Sequence, residues 1–146
     1  MDSHVDVHAF VAAPGEGERL GMAGLLRVST AKTGGALEVV ELDSARGPLP
    51  HIHHDREEFV YVIEGLFTFV LGTEEKVAPA GSIVFVPRGT PHAFTPGQRA
   101  RALAFSIPGG LLEDFFGELL AGLEAGRPEA ELRAELAGKY DAWPAE

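Results

Sequence analysis

The pattern of apolar and polar positions divides the chain into two parts. From residue 5 to residue 108, short runs of β-forming residues alternate with connections that contain Gly and Pro. This pattern is typical of a sandwich or barrel and not of alternating βαβ units, so we predict an all-β fold class. The predicted strands are at residues 5–11, 23–29, 36–42, 58–65, 66–71, 76–81, 82–87 and 99–108.

After Pro108 the spacing of apolar residues becomes helical. Apolar residues at 111, 112, 115, 116, 119, 120 and 123 form one stripe, and a second short helix is predicted within 127–140. We therefore expect a β-barrel domain at 1–108 and a helical C-terminal extension at 109–146 that packs on the barrel or on a dimer partner. The alternative is a lid over the barrel mouth, with Phe115 and Phe116 touching a ligand.

Composition narrows the chemistry that this domain can perform. A chain of 146 residues with 45% hydrophobic content is long enough for one domain with one core. It has no cysteine, which excludes disulfides, thiolate metal sites and a cysteine nucleophile, so a metal would be held by nitrogen and oxygen. The formal charge of -10 and the scattered Lys and Arg residues argue against nucleic-acid binding.

Targeting and membrane signals are absent from the pattern. No run approaches the roughly 18 apolar residues of a membrane helix, and the first ten residues do not resemble a signal peptide. We expect a cytoplasmic protein with no membrane partner.

Histidines and glutamates cluster in the stretch HIHHDREE. His51 and His53 are two residues apart, so in an extended chain their side chains project to the same face. A strand that starts at Glu57 or Glu58 after the turn would bring a carboxylate to the same volume. Two imidazoles and a carboxylate are ligands that Fe(II), Mn, Ni, Cu or Zn accept.

His92 is a fourth candidate ligand. Pro87, Gly89 and Pro91 build a rigid approach to it, and it opens the strand that carries Phe94. Three histidines and one glutamate would leave open positions on a metal, which distinguishes a catalytic site from a closed structural one. The alternative is that these histidines are surface residues at strand starts.

These two segments resemble the paired signatures of the cupin superfamily, at residues 47–65 and 81–96. The leading Gly of the first signature is Gly47, closer to the histidines than is usual, and Pro96 stands where the second signature ends in Asn. The matching positions are His51, His53, Glu58 and Gly65 in the first signature, and Gly81, Pro87, Gly89 and His92 in the second.

The resemblance implies a double-stranded β-helix, or jelly roll, with a metal inside the barrel. It implies the metal ligands His51, His53, Glu58 and His92, and it leaves out Glu57 and His54. The chain is similar to small single-domain cupins of the quercetin-dioxygenase-like type, which implies one divalent transition metal, with Fe(II) expected first, and a homodimer.

Strand alternation then predicts the pocket. If Glu58 faces inward, Val60 and Val62 line the cavity, and Phe94 joins them because it shares a face with His92. The outward side chains Phe59, Tyr61 and Ile63 need covering by the second sheet, the tail or a partner subunit. An apolar barrel around an open metal suits an aromatic or polyketide-like small molecule.

Three functions fit such a site. The first expectation is an oxygenase in which substrate and O2 meet at the metal, with Glu58 as ligand and as the base. The second is a non-oxidative cyclase, isomerase or lyase in which the metal acts as a Lewis acid. The third is a non-enzymatic cupin that binds a small molecule.

Overall fold

The computed structural model describes residues 7–43 and 46–145. Two antiparallel sheets and two C-terminal helices make up the fold, which confirms the predicted all-β jelly roll with a helical tail. The strands are β1 (Glu18–Arg19), β2 (Leu25–Val28), β3 (Glu38–Leu42), β4 (His51–Ile52), β5 (Glu57–Glu64), β6 (Leu66–Leu71), β7 (Glu74–Pro79), β8 (Ile83–Val86), β9 (His92–Pro96), β10 (Arg101–Ile107) and β11 (Trp143–Pro144). The helices are α1 (Leu112–Glu124) and α2 (Glu129–Tyr140), and short 3-10 turns lie at Gly21–Ala23 and Ala31–Thr33.

The two sheets face each other across the core. One has the order β1-β2-β3-β10-β5-β8 and the other the order β11-β4-β9-β6-β7. Because side chains alternate along each strand, the inward residues of both sheets form one apolar cluster, in which Val62, Phe67 and Ala102 are fully buried. This cluster fills one part of the barrel and leaves the end near β4 to polar side chains.

Most predicted strands have a counterpart in the structure. The strand predicted at 66–71 coincides with β6, and those predicted at 23–29, 36–42, 58–65, 76–81, 82–87 and 99–108 overlap β2, β3, β5, β7, β8 and β10. The strand predicted at 5–11 is wrong over residues 7–11, which have no regular secondary structure, and residues 5 and 6 lie outside the described part. Val7 and Val11 there are exposed, and their alternation mimics a strand without a sheet edge to pair with.

The helical tail folds back over the barrel. Glu38 on β3 is fully buried, and its Oε1 accepts hydrogen bonds from the backbone N–H groups of Leu111 and Leu112. A carboxylate at this position satisfies N–H groups at the start of α1 that have no partner within the helix. The tail returns at β11, whose Trp143 pairs with Ile52 of β4. Both ends of the tail are thus fixed to the barrel.

The outward face of β5 and β8 remains uncovered. Phe59 and Tyr61 are 38% and 44% exposed, and their neighbours Phe85 and Ile83 on β8 are 48% and 71% exposed. Ile63 is half-buried. Among the described residues, neither the second sheet nor the tail covers this face. No helix in the described ranges is both long enough and apolar enough to cross a membrane.

Candidate metal centre

Four side chains meet between the two sheets at the β4 end of the barrel. His51 lies on β4 and His53 follows it, while His92 opens β9 directly opposite His51. Glu58 reaches the same point from β5 of the other sheet. One ligand atom from each of the four lies within 4.8 Å of the others. The structure therefore brings together all four of the metal ligands expected from the sequence.

Backbone carbonyls fix the orientation of all three imidazoles. A carbonyl oxygen can only accept a hydrogen bond, so the Nδ1 atom that faces it must carry the proton. Each ring then directs the lone pair of Nε2 away from that carbonyl, which is the arrangement usual for histidines that bind a metal. The pairs are His51 Nδ1 with the Leu49 carbonyl at 2.7 Å, His53 Nδ1 with the Asp141 carbonyl at 2.6 Å and His92 Nδ1 with the Thr90 carbonyl at 2.9 Å.

The Nε2 atom of His53 is buried and lacks a hydrogen-bond partner among the described residues. It lies 3.2 Å from Oε1 of Glu58, close enough for attraction between charges, but the contact does not have the directed geometry of a hydrogen bond. His92 Nε2 lies 3.2 Å from the other oxygen of Glu58. A buried ring nitrogen without a partner fits a site that takes up a cation.

The spacing of the donor atoms also fits one metal ion. Two donors on opposite sides of an ion are about 4.2 Å apart, which is twice a metal–nitrogen bond of about 2.1 Å. The largest separation in the cluster is 4.8 Å, so binding would need a contraction of about half an ångström, well within side-chain adjustment. Nitrogen and carboxylate donors suit borderline transition metals.

Burial and the close contact with Glu58 set the protonation of the cluster. Burial, together with the charge of His92, lowers the pKa of His51 to about 4, so this imidazole is neutral at physiological pH. Burial acts to raise the pKa of Glu58, but the nearby imidazoles of His53 and His92 outweigh it and hold that pKa well below its usual range. Burial likewise acts to lower the pKa of His53, and Glu58 reverses the effect and raises it.

The C-terminal tail clamps the loop that carries His53. Asp141 follows α2 in the left-handed conformation, with φ of 55°. Its carboxylate accepts hydrogen bonds from the backbone N–H groups of His54 and Asp55, both at 2.7 Å, while its carbonyl accepts from His53. Arg56 Nε lies 3.6 Å from the same carboxylate. The tail thus supplies an outer contact of the candidate centre.

A cavity of about 270 Å³ opens beside the cluster, and His51, His53 and Glu58 line it. Val60 and Phe94, both expected pocket residues, line it. Val62 does not line it, because this residue lies deeper along β5 in the closed core, where it is fully buried. Phe115 and Phe116 from α1 also line the cavity, as the lid hypothesis expects.

The residues that the signature spacing left out have other contacts. Glu57 forms an ion pair at the surface with Arg88, whose side chain is 54% exposed. The ring of His54 lies 6.2 Å from that of Trp143. Gly47 keeps a structural role despite its unusual spacing, because a Cβ atom there would overlap the carbonyl oxygen of Phe94.

Asp141 and Arg133 are the site residues that the sequence did not single out. Arg133 lines the cavity from α2, and its spacing from Glu129 is that of an ordinary helix-surface ion pair. Asp141 precedes a two-residue strand that is too short to give a periodic signal. Both positions acquire their roles through contacts with barrel residues that are distant in sequence.

Comparison with known proteins agrees with this architecture. Residues 38–107 match the Cupin_2 cupin domain. The chain is 28% identical over 107 residues to quercetin 2,3-dioxygenase of Bacillus subtilis (strain 168), and the match covers 68% of this chain. It spans only 32%, about a third, of that relative's length.

Solved structures show the same fold at low sequence identity. Pac13, described as a unique nucleoside dehydratase, superposes with a TM-score of 0.58 and 19% identity, covering 70% of this chain and 85% of that one. A variant of Streptomyces PAC13 with uridine gives a TM-score of 0.59 and 19% identity, covering 73% and 88%. The domain match identifies a cupin domain at residues 38–107 of this chain, and the solved structures share its double-sheet barrel.

Proposed function

We propose that this chain is a metal-dependent oxygenase that acts on a small aromatic or polyketide-like molecule. One observation carries the proposal: the Nε2 sides of three oriented imidazoles converge with one carboxylate, and three of these four residues, His51, His53 and Glu58, line a mainly apolar cavity. His51, His53, Glu58 and His92 are the proposed ligands. A bound Fe(II), or alternatively Mn, Ni, Cu or Zn, would supply open positions where substrate oxygens and O2 meet.

The chain's own residues would orient the substrate and exclude water. Val60 and Phe94 on the barrel side and Phe115 and Phe116 on the tail side present apolar walls to a ring system. Glu58 is the only carboxylate among the described residues that line the cavity, so we assign it the role of proton acceptor as well as ligand.

The likeness to quercetin 2,3-dioxygenase supports oxygen chemistry rather than the non-oxidative alternative. That support is limited to the part of the relative that this chain covers. The likeness to a nucleoside dehydratase concerns the fold alone, since the same barrel hosts many unrelated reactions.

Metal content tests the ligand assignment. We expect His51→Ala and His92→Ala variants, purified in the presence of a chelator and then dialysed against one equivalent of Fe(II) or Zn²⁺, to retain little metal by elemental analysis. His54→Ala is the matched control, because this histidine is adjacent in sequence and lies outside the cluster. Stoichiometric metal in the His51 and His92 variants would refute the assignment.

Oxygen uptake tests the reaction class. The protein loaded with Fe(II), Mn or Ni is supplied with a panel of flavonols and other enediols while dissolved oxygen is recorded. We expect consumption of O2 together with loss of substrate, and no turnover in an anaerobic chamber. Substrate turnover without oxygen would replace the oxygenase proposal by Lewis-acid chemistry at the same centre.

A further inference from the structure

Two arginines that do not belong to the metal cluster line the cavity. Arg133 and Arg46 are the basic residues among those that line it, apart from the histidines. Both guanidinium groups contact the carboxylate of Glu129, at 3.2 Å from Arg133 and 3.1 Å from Arg46. Glu129 itself is not among the lining residues.

The contacts of Arg133 leave donors unmatched. A guanidinium has five N–H donors, and the hydrogen bond to Glu129 is the one that Arg133 makes within the described residues. Its Nε is buried without a hydrogen-bond partner in the same part of the chain. The planar group lies 5.8 Å from the ring of Phe115, a cation–π contact that holds it in place without using its N–H groups.

The length of α2 gives the separation between Arg133 and Asp141. Arg133 precedes Asp141 by eight residues, most of them within α2, and at 1.5 Å per residue this separates them by about 12 Å. Asp141 contacts His53 directly, so the C-terminal end of α2 lies beside the histidine cluster. Phe115 and Phe116 line the wall contributed by α1.

We propose that the cavity takes an aromatic carboxylate whose acid group pairs with Arg133, while the other end of the molecule lies at the histidine cluster. The inference names the substrate class of the site and so rests on the proposed function. An acid group supplies two oxygens in one plane, which matches the fork of a guanidinium and satisfies donors that now lack an acceptor. The ring system would lie between Phe94 and the two phenylalanines of α1.

The pair 2-naphthoate and 2-naphthamide tests this proposal, because the two molecules share one ring system and differ in charge. Binding is measured by titration calorimetry with metal-free protein, so that attraction between carboxylate and metal cannot contribute. We expect 2-naphthoate to bind about tenfold more tightly than 2-naphthamide, as for one charge-assisted contact. The Arg133→Gln variant should lose this preference and keep its affinity for the amide.

Two further variants separate ligand recognition from stability. Arg133→Lys retains a cation and the Glu129 pair, so it should keep part of the preference for the acid. Arg127→Gln is the matched control, because Arg127 lies just before α2 and pairs with Glu131 and Glu135 at the surface. This variant should bind both probes as the unmodified protein does.

The proposal is overturned if the unmodified protein binds acid and amide equally, or if Arg133→Gln keeps the preference. A preference that appears only after metal loading and survives Arg133→Gln would place the carboxylate at the metal, which also overturns it. Failure of the oxygenase proposal would look different, because it would leave the naphthoate preference of the metal-free protein intact.

Discussion

Asp141 offers the sharpest test of how the tail supports the metal centre. Substitution by Asn keeps a residue type that tolerates the left-handed conformation at this position. It removes the charge and replaces one acceptor oxygen by an NH2 donor, which then faces the N–H group of either His54 or Asp55. One hydrogen bond is lost and the other becomes neutral.

The size of the effect follows from these contacts. Charge-assisted hydrogen bonds contribute about 1.5–3 kcal/mol each and neutral ones about 0.5–1.5 kcal/mol, so the loop should lose about 2–4 kcal/mol of fixation. Outer contacts of metal-binding histidines are worth about 10- to 100-fold in metal affinity. We therefore expect Asp141→Asn to weaken Zn²⁺ binding by about 10- to 100-fold, or about 1.4–2.7 kcal/mol.

Competition with a chromophoric chelator measures the Zn²⁺ affinity, and long-range ¹H–¹⁵N correlation spectra report the Nδ1 proton of His53. Val62→Ala is the control for a general loss of stability, since Val62 is fully buried in the core and is not among the residues that line the cavity. It should lower the melting temperature and leave Zn²⁺ affinity unchanged within about twofold.

Two results would refute this reasoning. One is an Asp141→Asn protein that binds Zn²⁺ as tightly as the unmodified protein, with the His53 Nδ1 proton signal unchanged. The other is an equal loss of affinity in Val62→Ala, which would show that the metal site responds to overall stability and not to the clamp.

Three more predictions address the scaffold. Glu38→Ala leaves the N–H groups at the start of α1 without their buried acceptor. Hydrogen exchange of the α1 amides should therefore accelerate by more than about tenfold, while the β6 amides stay protected. An equal acceleration in α1 and β6 would contradict this. Gly47→Ala should lower the free energy of unfolding, measured in urea, by about 2–4 kcal/mol, because the added Cβ would overlap the Phe94 carbonyl oxygen. An unchanged urea midpoint would contradict this, since it would show that the backbone shifts without a cost in stability. We expect the chain to sediment as a homodimer and Phe85→Glu to yield a monomer, since Phe85 lies in the exposed apolar face of β5 and β8; a monomeric unmodified protein would contradict the dimer.

The strands show which elements the local sequence pattern can locate and which it cannot. β5 and β6 have clear alternation and are separated by Gly65, with φ of 70°, where the chain passes from one sheet to the other, so the sequence located both strands to within a residue. The two-residue strands β4 and β11 have no period to detect, and they form because β11 pairs with β4 and β4 pairs with β9. Residues 7–11 show the reverse case. Their apolar residues alternate as in a strand, but no strand in the described part of the chain pairs with them.

In the candidate site too, the sequence pattern located some residues correctly and misplaced others. Spacing in the sequence was enough to select Glu58 over Glu57 and to join His92 to His51, because signature positions reflect the local geometry of two strand entrances. Val62 was placed in the pocket because it shares a face with Val60, and it is instead in the core because the cavity ends above it. Alternation gives the face of a residue and not its depth.

What the sequence by itself determined is therefore the all-β class and the helical tail, since each depends on the spacing of residues a few positions apart. The four side chains that converge were selected by the resemblance of two separate segments to the cupin signatures. Only the tertiary structure decided that α1 and α2 line the cavity, that the carbonyl of Asp141 orients His53 and that Arg133 faces the cavity. These contacts join residues up to 88 positions apart. Their geometry depends on how the tail docks on the barrel, and no local period in the chain encodes that docking.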